Sequence, residues 1–203
     1  GRLPQPALDR TFERYDGFFR QRRAEATWSN YTPYEWRVVG AMVRLGWRDR
    51  ALEQMAFFME GQRPPTWNHW AEVVWRDPKT PRFIGDMPHT WVGSDFIRAA
   101  RSLFVFEREA DQALVIGAGL PAAWVESPQG VTVRRMPTWH GTLNYRLAMA
   151  GPDALRARLT GDVTVPPGRI ILHSPLDRPV RTATVNGRAA TFTANTVTVD
   201  QFP

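Results

Sequence analysis

The spacing of hydrophobic residues changes once along this chain, near residue 110, and this change constrains the fold more than any other feature. Before it, apolar residues recur at helical spacing, for example at Phe96, Ile97, Ala100, Leu103 and Phe104. After it, apolar and polar residues alternate or form short apolar runs, as in strands. Because the two patterns are segregated, we predict an α+β chain and not a parallel α/β fold. Residues 1–109 should be helical, and residues 110–203 should form an antiparallel β-sandwich.

Four helices are predicted in the first segment. The first should extend from about residue 6 to residue 25. Thr32-Pro33-Tyr34-Glu35 combines an N-cap threonine, a proline at the first helical position and a glutamate three residues after the cap, so it predicts the start of the second helix. We expect Asp49 to cap the third helix and Ser94 to cap the fourth. The second and third helices, separated by three or four residues, should form an αα-hairpin.

The second segment carries short apolar patterns that Pro and Gly interrupt every eight to twelve residues. These patterns occur at Leu114–Ile116, Val131/Val133, Leu143/Tyr145/Leu147, Leu155/Ala157/Leu159 and Ile170/Leu172. Asn186-Gly187 is the strongest hairpin signal, because these two residue types readily adopt both positive φ angles of a type I′ turn. The segment therefore predicts about eight strands arranged as a sandwich.

Composition excludes several classes of protein. The chain has no cysteine, which excludes disulfides, thiolate chemistry and cysteine-ligated zinc. Its net charge is +6, but all except one of the 26 basic residues are arginine, and they are scattered among acidic residues. This bias is typical of a GC-rich genome, whereas a nucleic-acid-binding protein would gather its basic residues on one face. No apolar run is long enough to span a membrane. We therefore expect neither a nucleic acid nor a membrane as a partner.

Tryptophan is strongly enriched, with nine in 203 residues. Four of them lie between Gln62 and Gly93, a stretch in which prolines break every helical pattern. Irregular stretches of this length are uncommon unless they have a function. Indoles also offer flat apolar faces on which the C–H faces of sugar rings can stack. The stretch therefore predicts a binding or catalytic loop.

The first part of this loop, residues 65–75, concentrates groups that could carry chemistry. Glu72 is the candidate catalytic carboxylate, because glycoside hydrolysis needs two carboxylates beside the bond that breaks. The candidate substrate-binding residues around it are Trp67, Asn68, His69 and Trp70. The alternative is structural, with Glu72 forming an ion pair with Arg76 or Arg82 to hold the loop.

The second part, residues 85–96, leads into the fourth helix. Asp86, His89 and Trp91 are further candidates for substrate binding in the same cleft, and Asp95 lies near the helix start. In the structural alternative, Asp95 interacts with the helix dipole and His89 bonds a backbone carbonyl. No histidine lies at ligand spacing from another histidine or a carboxylate, so we expect no metal, and no motif for a cofactor is present.

The order of these elements resembles the C-terminal end of six-hairpin, (α/α)₆-toroid glycoside hydrolases, notably the α-L-rhamnosidase type. It comprises an αα-hairpin, a loop with Trp and Glu, a Met-Pro-His-Thr-Trp stretch that opens a last helix, and a sandwich containing Val-Asn-Gly. In that family a Glu directly follows the Trp, whereas here Trp67 precedes Asn68 and the nearest Glu is Glu72. The resemblance implies that Glu72 acts as general base or acid in an inverting enzyme on a glycan.

The resemblance also implies that these helices line one wall of the active-site cleft. A toroid has about twelve helices, so we expect the others to come from a missing N-terminal part of the same polypeptide or from another chain. Gly1 and Pro203 both suggest a cut polypeptide. We expect an extracellular or periplasmic protein of a GC-rich bacterium. The alternative is a non-catalytic module, a β-sandwich with a helical collar that binds carbohydrate or packs against a partner.

Overall fold

A computed structural model of the chain describes residues 3–25, 28–80 and 82–202. The chain divides into two compact units, Gly1–Ser102 and Leu103–Pro203. Within the described ranges the first unit is mainly helical and the second consists mainly of strands. Helices followed by sheets are what the change in hydrophobic spacing predicts. No closed barrel occurs in the part of the chain that the structure describes.

The first unit contains four α-helices and a two-stranded ribbon among its described residues. The helices are α1 (Gln5–Ala24), α2 (Trp36–Arg44), α3 (Arg48–Met59) and α4 (Thr90–Phe104), the last of which crosses into the second unit. The strands are β1 (Asn30–Tyr31) and β2 (Val74–Trp75), which pair antiparallel. Short 3₁₀-helices occupy Pro33–Glu35 and Pro65–Trp67.

The predictions for α1 and for the hairpin of α2 and α3 are confirmed, but three helix starts differ. Pro33 begins a 3₁₀ turn, and Thr32 makes no side-chain cap. Asp49 lies inside the first turn of α3, where its charge suits the helix dipole, and Trp47 occupies the cap position. Helix α4 begins at Thr90 and not after Ser94, because the Gly93 N–H already donates to the carbonyl of His89 at 3.1 Å.

Aromatic rings form the centre of the first unit. Trp36 and Trp70 lie 5.4 Å apart between ring centroids, and each lies about as far from Phe96. Helix α2 packs on α4 at Gly40, where a Cβ would make an ordinary van der Waals contact with the Ala99 Cα at 3.5 Å. Edge-on and tilted contacts of this kind stabilise a core beyond the apolar area they bury.

The second unit contains the remaining strands and one short helix. The strands are β3 (Val105–Arg108), β4 (Ala113–Ile116), β5 (Val131–Thr138), β6 (Gly141–Gly151), β7 (Ala154–Gly161), β8 (Ile170–His173), β9 (Thr184–Val185), β10 (Arg188–Ala189) and β11 (Thr196–Val199). The helix α5 (Ala122–Glu126) lies in a stretch for which we predicted no helix. All five apolar patterns of this segment form strands.

Two sheets supply one hydrophobic core. The order of the first sheet is β11-β8-β4-β3, and that of the second is β5-β6-β7. Their buried residues belong to a single cluster that includes Leu114, Ile116, Leu143, Leu147 and Ile170. Strands β9 and β10 form the predicted hairpin, and Asn186 and Gly187 have φ angles of 52° and 78°.

The expectation of a wholly antiparallel arrangement is wrong for one pair of strands. β4 and β8 are parallel, with Leu114 opposite Ile170 and Ile116 opposite Leu172. All four residues of β4 are buried, and β3 and β8 pair with its two edges. Continuous apolar runs such as 113–116 are typical of strands that are buried on both faces, which is the usual setting of parallel pairs.

The last helix also ends earlier than the helical segment that we assigned to residues 1–109. Helix α4 ends at Phe104, and the next four residues form β3, which pairs antiparallel with β4. The residues at the change, Val105 and Phe106, are β-branched and aromatic and are buried. Such residues favour a strand wherever they can pack on a partner.

Candidate functional site

The loop that carries most of the predicted site residues folds back on itself. The Glu72 N–H donates to the carbonyl of Asp86 at 3.2 Å, and the His89 N–H donates to the carbonyl of Trp70 at 3.0 Å. These two bonds bring the segment around residue 72 beside the segment that opens α4. The two parts of the loop that hold the candidate residues, 65–75 and 85–96, therefore lie side by side.

A chain of three polar side chains lies where they meet. The Tyr34 hydroxyl and His89 Nε2 form a hydrogen bond, and His89 Nδ1 lies 3.6 Å from Asp86 Oδ2. The His89 side chain is 10% exposed, whereas that of Asp86 is 84% exposed. The carboxylate favours a proton on Nδ1, which leaves Nε2 to accept a hydrogen bond from the Tyr34 hydroxyl. Both nitrogens of a buried imidazole therefore face polar groups.

The surroundings of Tyr34 disfavour its ionised form. Partial burial raises the pKa of Tyr34 above its ordinary value of 10.0, and the Glu72 carboxylate raises it further, while the Arg37 guanidinium lowers it. That guanidinium lies 4.7 Å from the centre of the Tyr34 ring. Tyr34 is consequently a neutral hydrogen-bond donor near neutral pH. It is the point near which Glu72, Asp86 and His89 converge.

Asp95 contributes through Arg37. Asp95 Oδ2 lies 2.6 Å from Arg37 Nε, and the Asp95 side chain is 6% exposed. Asp95 is in α4 and Arg37 is in α2, so this ion pair fixes the guanidinium beside the Tyr34 ring. The Asp95 carboxylate, which the sequence analysis placed near the helix start, is therefore buried and paired with Arg37.

Gly85 makes room for the Glu72 side chain. A Cβ on Gly85 would lie 2.2 Å from Glu72 Oε2 and 2.6 Å from Glu72 Cβ, and Gly85 has a φ of +64°. Only glycine fits this backbone and this close approach without strain. In the described part of the chain, Glu72 forms no ion pair with Arg76 or Arg82. The structural alternative for Glu72 therefore has no counterpart in the observed contacts.

The tryptophans of the loop divide into two groups. Trp91 is 67% exposed, and its indole lies 6.4 Å from the Tyr34 ring and 6.2 Å from the His89 ring. Trp67 is 58% exposed. Trp70 is 1% exposed, and its Nε1–H donates to the Phe58 carbonyl at 2.7 Å. The assignment of Trp70 to substrate stacking is therefore corrected, because its faces are covered by the aromatic core.

Asn68 and His69 shape the loop. Asn68 ends the 3₁₀-helix with a φ of 51°, a left-handed conformation that asparagine tolerates. His69 Nδ1 accepts the Trp70 N–H at 2.9 Å, and a Cβ on Gly93 would lie 2.9 Å from His69 Nε2. His69 thus packs on the first turn of α4. Within the described ranges, neither residue has a hydrogen bond to Tyr34 or His89.

Tyr34 and Arg37 belong to this cluster although the sequence analysis did not select them. Tyr34 lies in Thr32-Pro33-Tyr34-Glu35, which we interpreted only as a helix start. Its partner His89 is 55 residues away, so no local spacing links them. The sequence does contain one signal that could have linked Tyr34 to Arg37. The two residues are three positions apart, a spacing that places side chains on the same side of a helical turn.

The described residues contain no group of three or more His, Asp or Glu side chains that could hold a metal ion. They also contain no helix of the length and hydrophobicity that crossing a membrane requires. Comparisons with protein-family models, curated proteins and solved structures gave no match. The side chains around Tyr34 and the order of the helices and strands are therefore the features of this chain that point to a function.

Proposed function

We propose that this chain is the C-terminal portion of a glycoside hydrolase that acts on a glycan. In this proposal the four helices belong to an (α/α)₆ toroid, and the following strands are its closing β-sandwich. The remaining helices come from preceding sequence or from another chain. The element order supports the proposal, since a hairpin of α2 and α3, an aromatic loop and a last helix precede sheets that share a core.

The observation that carries the proposal is the convergence of Glu72, Asp86, His89 and Trp91 near Tyr34. These side chains combine carboxylates, an imidazole held by hydrogen bonds and an exposed indole. An indole face suits the C–H face of a sugar, and the polar groups suit its hydroxyls. Glycan-binding clefts need both kinds of contact, with a few polar groups that fix orientation.

Within this proposal, Glu72 activates water as the general base or serves as the partner acid. The second carboxylate comes from the rest of the toroid, and Asp86 orients His89. Inverting enzymes hold their two carboxylates roughly 6.5–9.5 Å apart to leave room for the water. Trp91 and Trp67 offer their exposed faces to sugar rings of the glycan. We place such an enzyme outside the cytoplasm, extracellular or periplasmic, in a GC-rich bacterium.

The proposal is tested by following the hydrolysis of a panel of oligosaccharides by proton NMR with the complete catalytic unit. We expect one class of glycoside to be cleaved, with a first product whose anomeric configuration is opposite to that of the substrate. Retention of configuration would contradict inversion but not hydrolysis. Failure to cleave any glycoside, with binding demonstrated for one, would replace the proposal with a carbohydrate-binding module.

That second function has one observation in its favour. The exposed indoles of Trp67 and Trp91 would serve binding equally well in the absence of catalysis. A binding module needs stacking faces but no catalytic carboxylate. Replacing Glu72 by Gln would then leave the function of the chain unchanged.

A further inference from the structure

An open depression of about 730 Å³ lies on the ribbon formed by β1 and β2. Its lining includes Trp28, Asn30, Trp75, Arg76 and Arg82. None of its lining residues belongs to the Tyr34–His89 cluster, by which we mean Tyr34, Arg37, Glu72, Asp86, His89 and Trp91. A volume of this size falls in the range of roughly 300–1,000 Å³ that small-ligand sites occupy. Nothing in the proposed hydrolytic mechanism uses the residues that line the depression.

The two indoles of the depression are held in place before any ligand binds. Trp75 Nε1–H donates to the carbonyl of Phe83 at 2.7 Å, and the Trp75 backbone pairs with Asn30 in the ribbon. Trp28 packs edge-on against Tyr31 and Phe57, with ring centroids 5.7 and 5.9 Å apart. Both indoles are half-buried. A ligand that stacks on them loses little free energy to the ordering of side chains.

Two arginines supply positive charge beside these rings. Arg76 and Arg82 are exposed, and neither forms an ion pair within the described part of the chain. The Arg82 guanidinium lies 6.0 Å from the centre of the Trp75 ring. A guanidinium binds a carboxylate through two parallel hydrogen bonds. The pair is therefore suited to a ligand with a carboxylate attached to a ring.

The carboxylate of Asp77 also lines the depression. Its Oδ1 accepts the Lys79 N–H at 2.8 Å, and its Oδ2 accepts the Thr80 hydroxyl at 2.6 Å. Because Asp77 holds this turn, its oxygens are engaged with the protein. The side chains of the lining then carry two positive charges against one negative charge, which favours an anionic ligand.

We propose that this depression binds a carboxylate-bearing sugar ring of the glycan. The apolar face of the ring stacks on Trp28 or Trp75, the carboxylate contacts Arg76 and Arg82, and Asn30 donates to a ring hydroxyl. The choice of a sugar as the ligand rests on the proposed function. The negative charge of the ligand and its stacking on an indole are inferred from the residues that line the depression.

The test is calorimetric titration of the complete catalytic unit with tetragalacturonate and with its neutral methyl ester. We expect the acid to bind and the ester to bind at least about tenfold more weakly, because the charge-assisted hydrogen bonds are lost. The double variant R76Q/R82Q should weaken binding of the acid at least about tenfold. The affinity of the unmodified chain should fall as salt is added, since the arginines are exposed.

The matched control is R156Q/R158Q, which removes the same charge from two exposed positions of β7. It should leave the affinity for the acid within about twofold, because neither arginine lines the depression. Equal loss in both double variants, or equal affinity for acid and ester, would overturn the proposal by showing non-specific attraction. Absence of saturable binding to the acid would also overturn it.

A third variant separates this proposal from the proposed hydrolase. Trp91→Ala removes the exposed indole of the Tyr34–His89 cluster and should leave the affinity for tetragalacturonate unchanged, since Trp91 does not line the depression. If Trp91→Ala abolishes binding, the sugar occupies that cluster and the proposal fails. If no glycoside is cleaved but the acid binds and R76Q/R82Q removes that binding, the hydrolase proposal fails and this one stands.

Discussion

The two units of this chain are built from different kinds of interior. The core of the unit from Leu103 onward is mostly aliphatic and draws on two sheets. The unit before it has an aromatic centre and buries several polar groups, among them Asp16, Gln54, His89 and Asp95. Burying a polar group is unfavourable unless it is hydrogen-bonded, so such groups persist where positioning matters. The helical unit also contains the Tyr34–His89 cluster, so we expect substitutions in the two units to have different effects.

The largest change in stability is expected in the sheet unit. Leu147 is fully buried between residues of both sheets. Leu147→Ala should lower the free energy of unfolding by about 2–5 kcal/mol, through lost apolar burial and the cavity that remains. Denaturant titration measures this loss, and glycan binding by the protein that remains folded should be unchanged. Reduced binding in the folded fraction would connect the sheet unit to the site.

Substitution of Trp70 should destabilise the protein far more than substitution of Trp91, although both belong to the predicted loop. Trp70→Phe removes the N–H that the buried Phe58 carbonyl accepts, which should cost about 1–3 kcal/mol of stability. Trp91→Phe should stay within about 0.5 kcal/mol, because Trp91 is exposed. Denaturant titration of both variants measures the difference. Similar losses in the two variants would contradict the assignment of Trp70 to the core.

The hairpin of β9 and β10 tests the sheet unit at a turn. Gly187 has a φ of +78°, so Gly187→Val should cost about 1–3 kcal/mol, since a β-branched residue is strained there. Gly187→Asn is the control, because asparagine tolerates the left-handed region, and its loss should be clearly smaller. Glycan binding should survive both substitutions. If binding disappears while the protein remains folded, the sheet unit carries the site.

The smallest expected change is the dependence of stability on pH. The free energy of unfolding should hardly change near neutral pH and should fall at alkaline pH. Burial raises the pKa of Tyr31 in the helical unit and of Tyr145 in the sheet unit above the ordinary value of 10.0. A raised pKa means that this contribution to stability is complete below about pH 10 and is lost as the pH rises through the higher value. Tyr31→Phe and Tyr145→Phe should each flatten the alkaline loss measured by denaturant titration.

At neutral pH these two variants should differ. The Tyr145 hydroxyl donates to the Phe104 carbonyl at 3.1 Å, so Tyr145→Phe should cost about 1 kcal/mol. The buried Tyr31 hydroxyl has no hydrogen-bond partner among the described residues, so Tyr31→Phe should cost less than that. Equal costs would show that Tyr31 gains a partner in solution.

The sequence predicts the features of this fold that depend on neighbouring residues. Helix α1, the hairpin of α2 and α3, and the turn at Asn186 follow from local spacing and capping. The parallel pairing of β4 with β8 does not, because the two strands are separated by α5 and the three-stranded sheet. Hydrophobic spacing identifies a strand but not its partner.

The same distinction applies to the candidate site. Glu72, Asp86, His89 and Trp91 could be selected because they crowd into one irregular aromatic loop. Tyr34 could not be selected in this way, because it lies in a different segment, 55 residues before its partner His89. Burial of Trp70 was equally hidden, since an indole suits a core as well as a cleft.

The central claim is that Glu72 carries catalysis in the helical unit, and Glu72→Gln in the complete enzyme tests it most directly. The substitution preserves volume and one hydrogen-bonding oxygen, so the melting temperature should stay close to that of the unmodified enzyme. Turnover should fall by about 10²–10⁴-fold, as for a lost general acid or base. Substrate affinity should persist through Trp67 and Trp91. A lower melting temperature with normal turnover would contradict the account and would assign Glu72 to holding the loop.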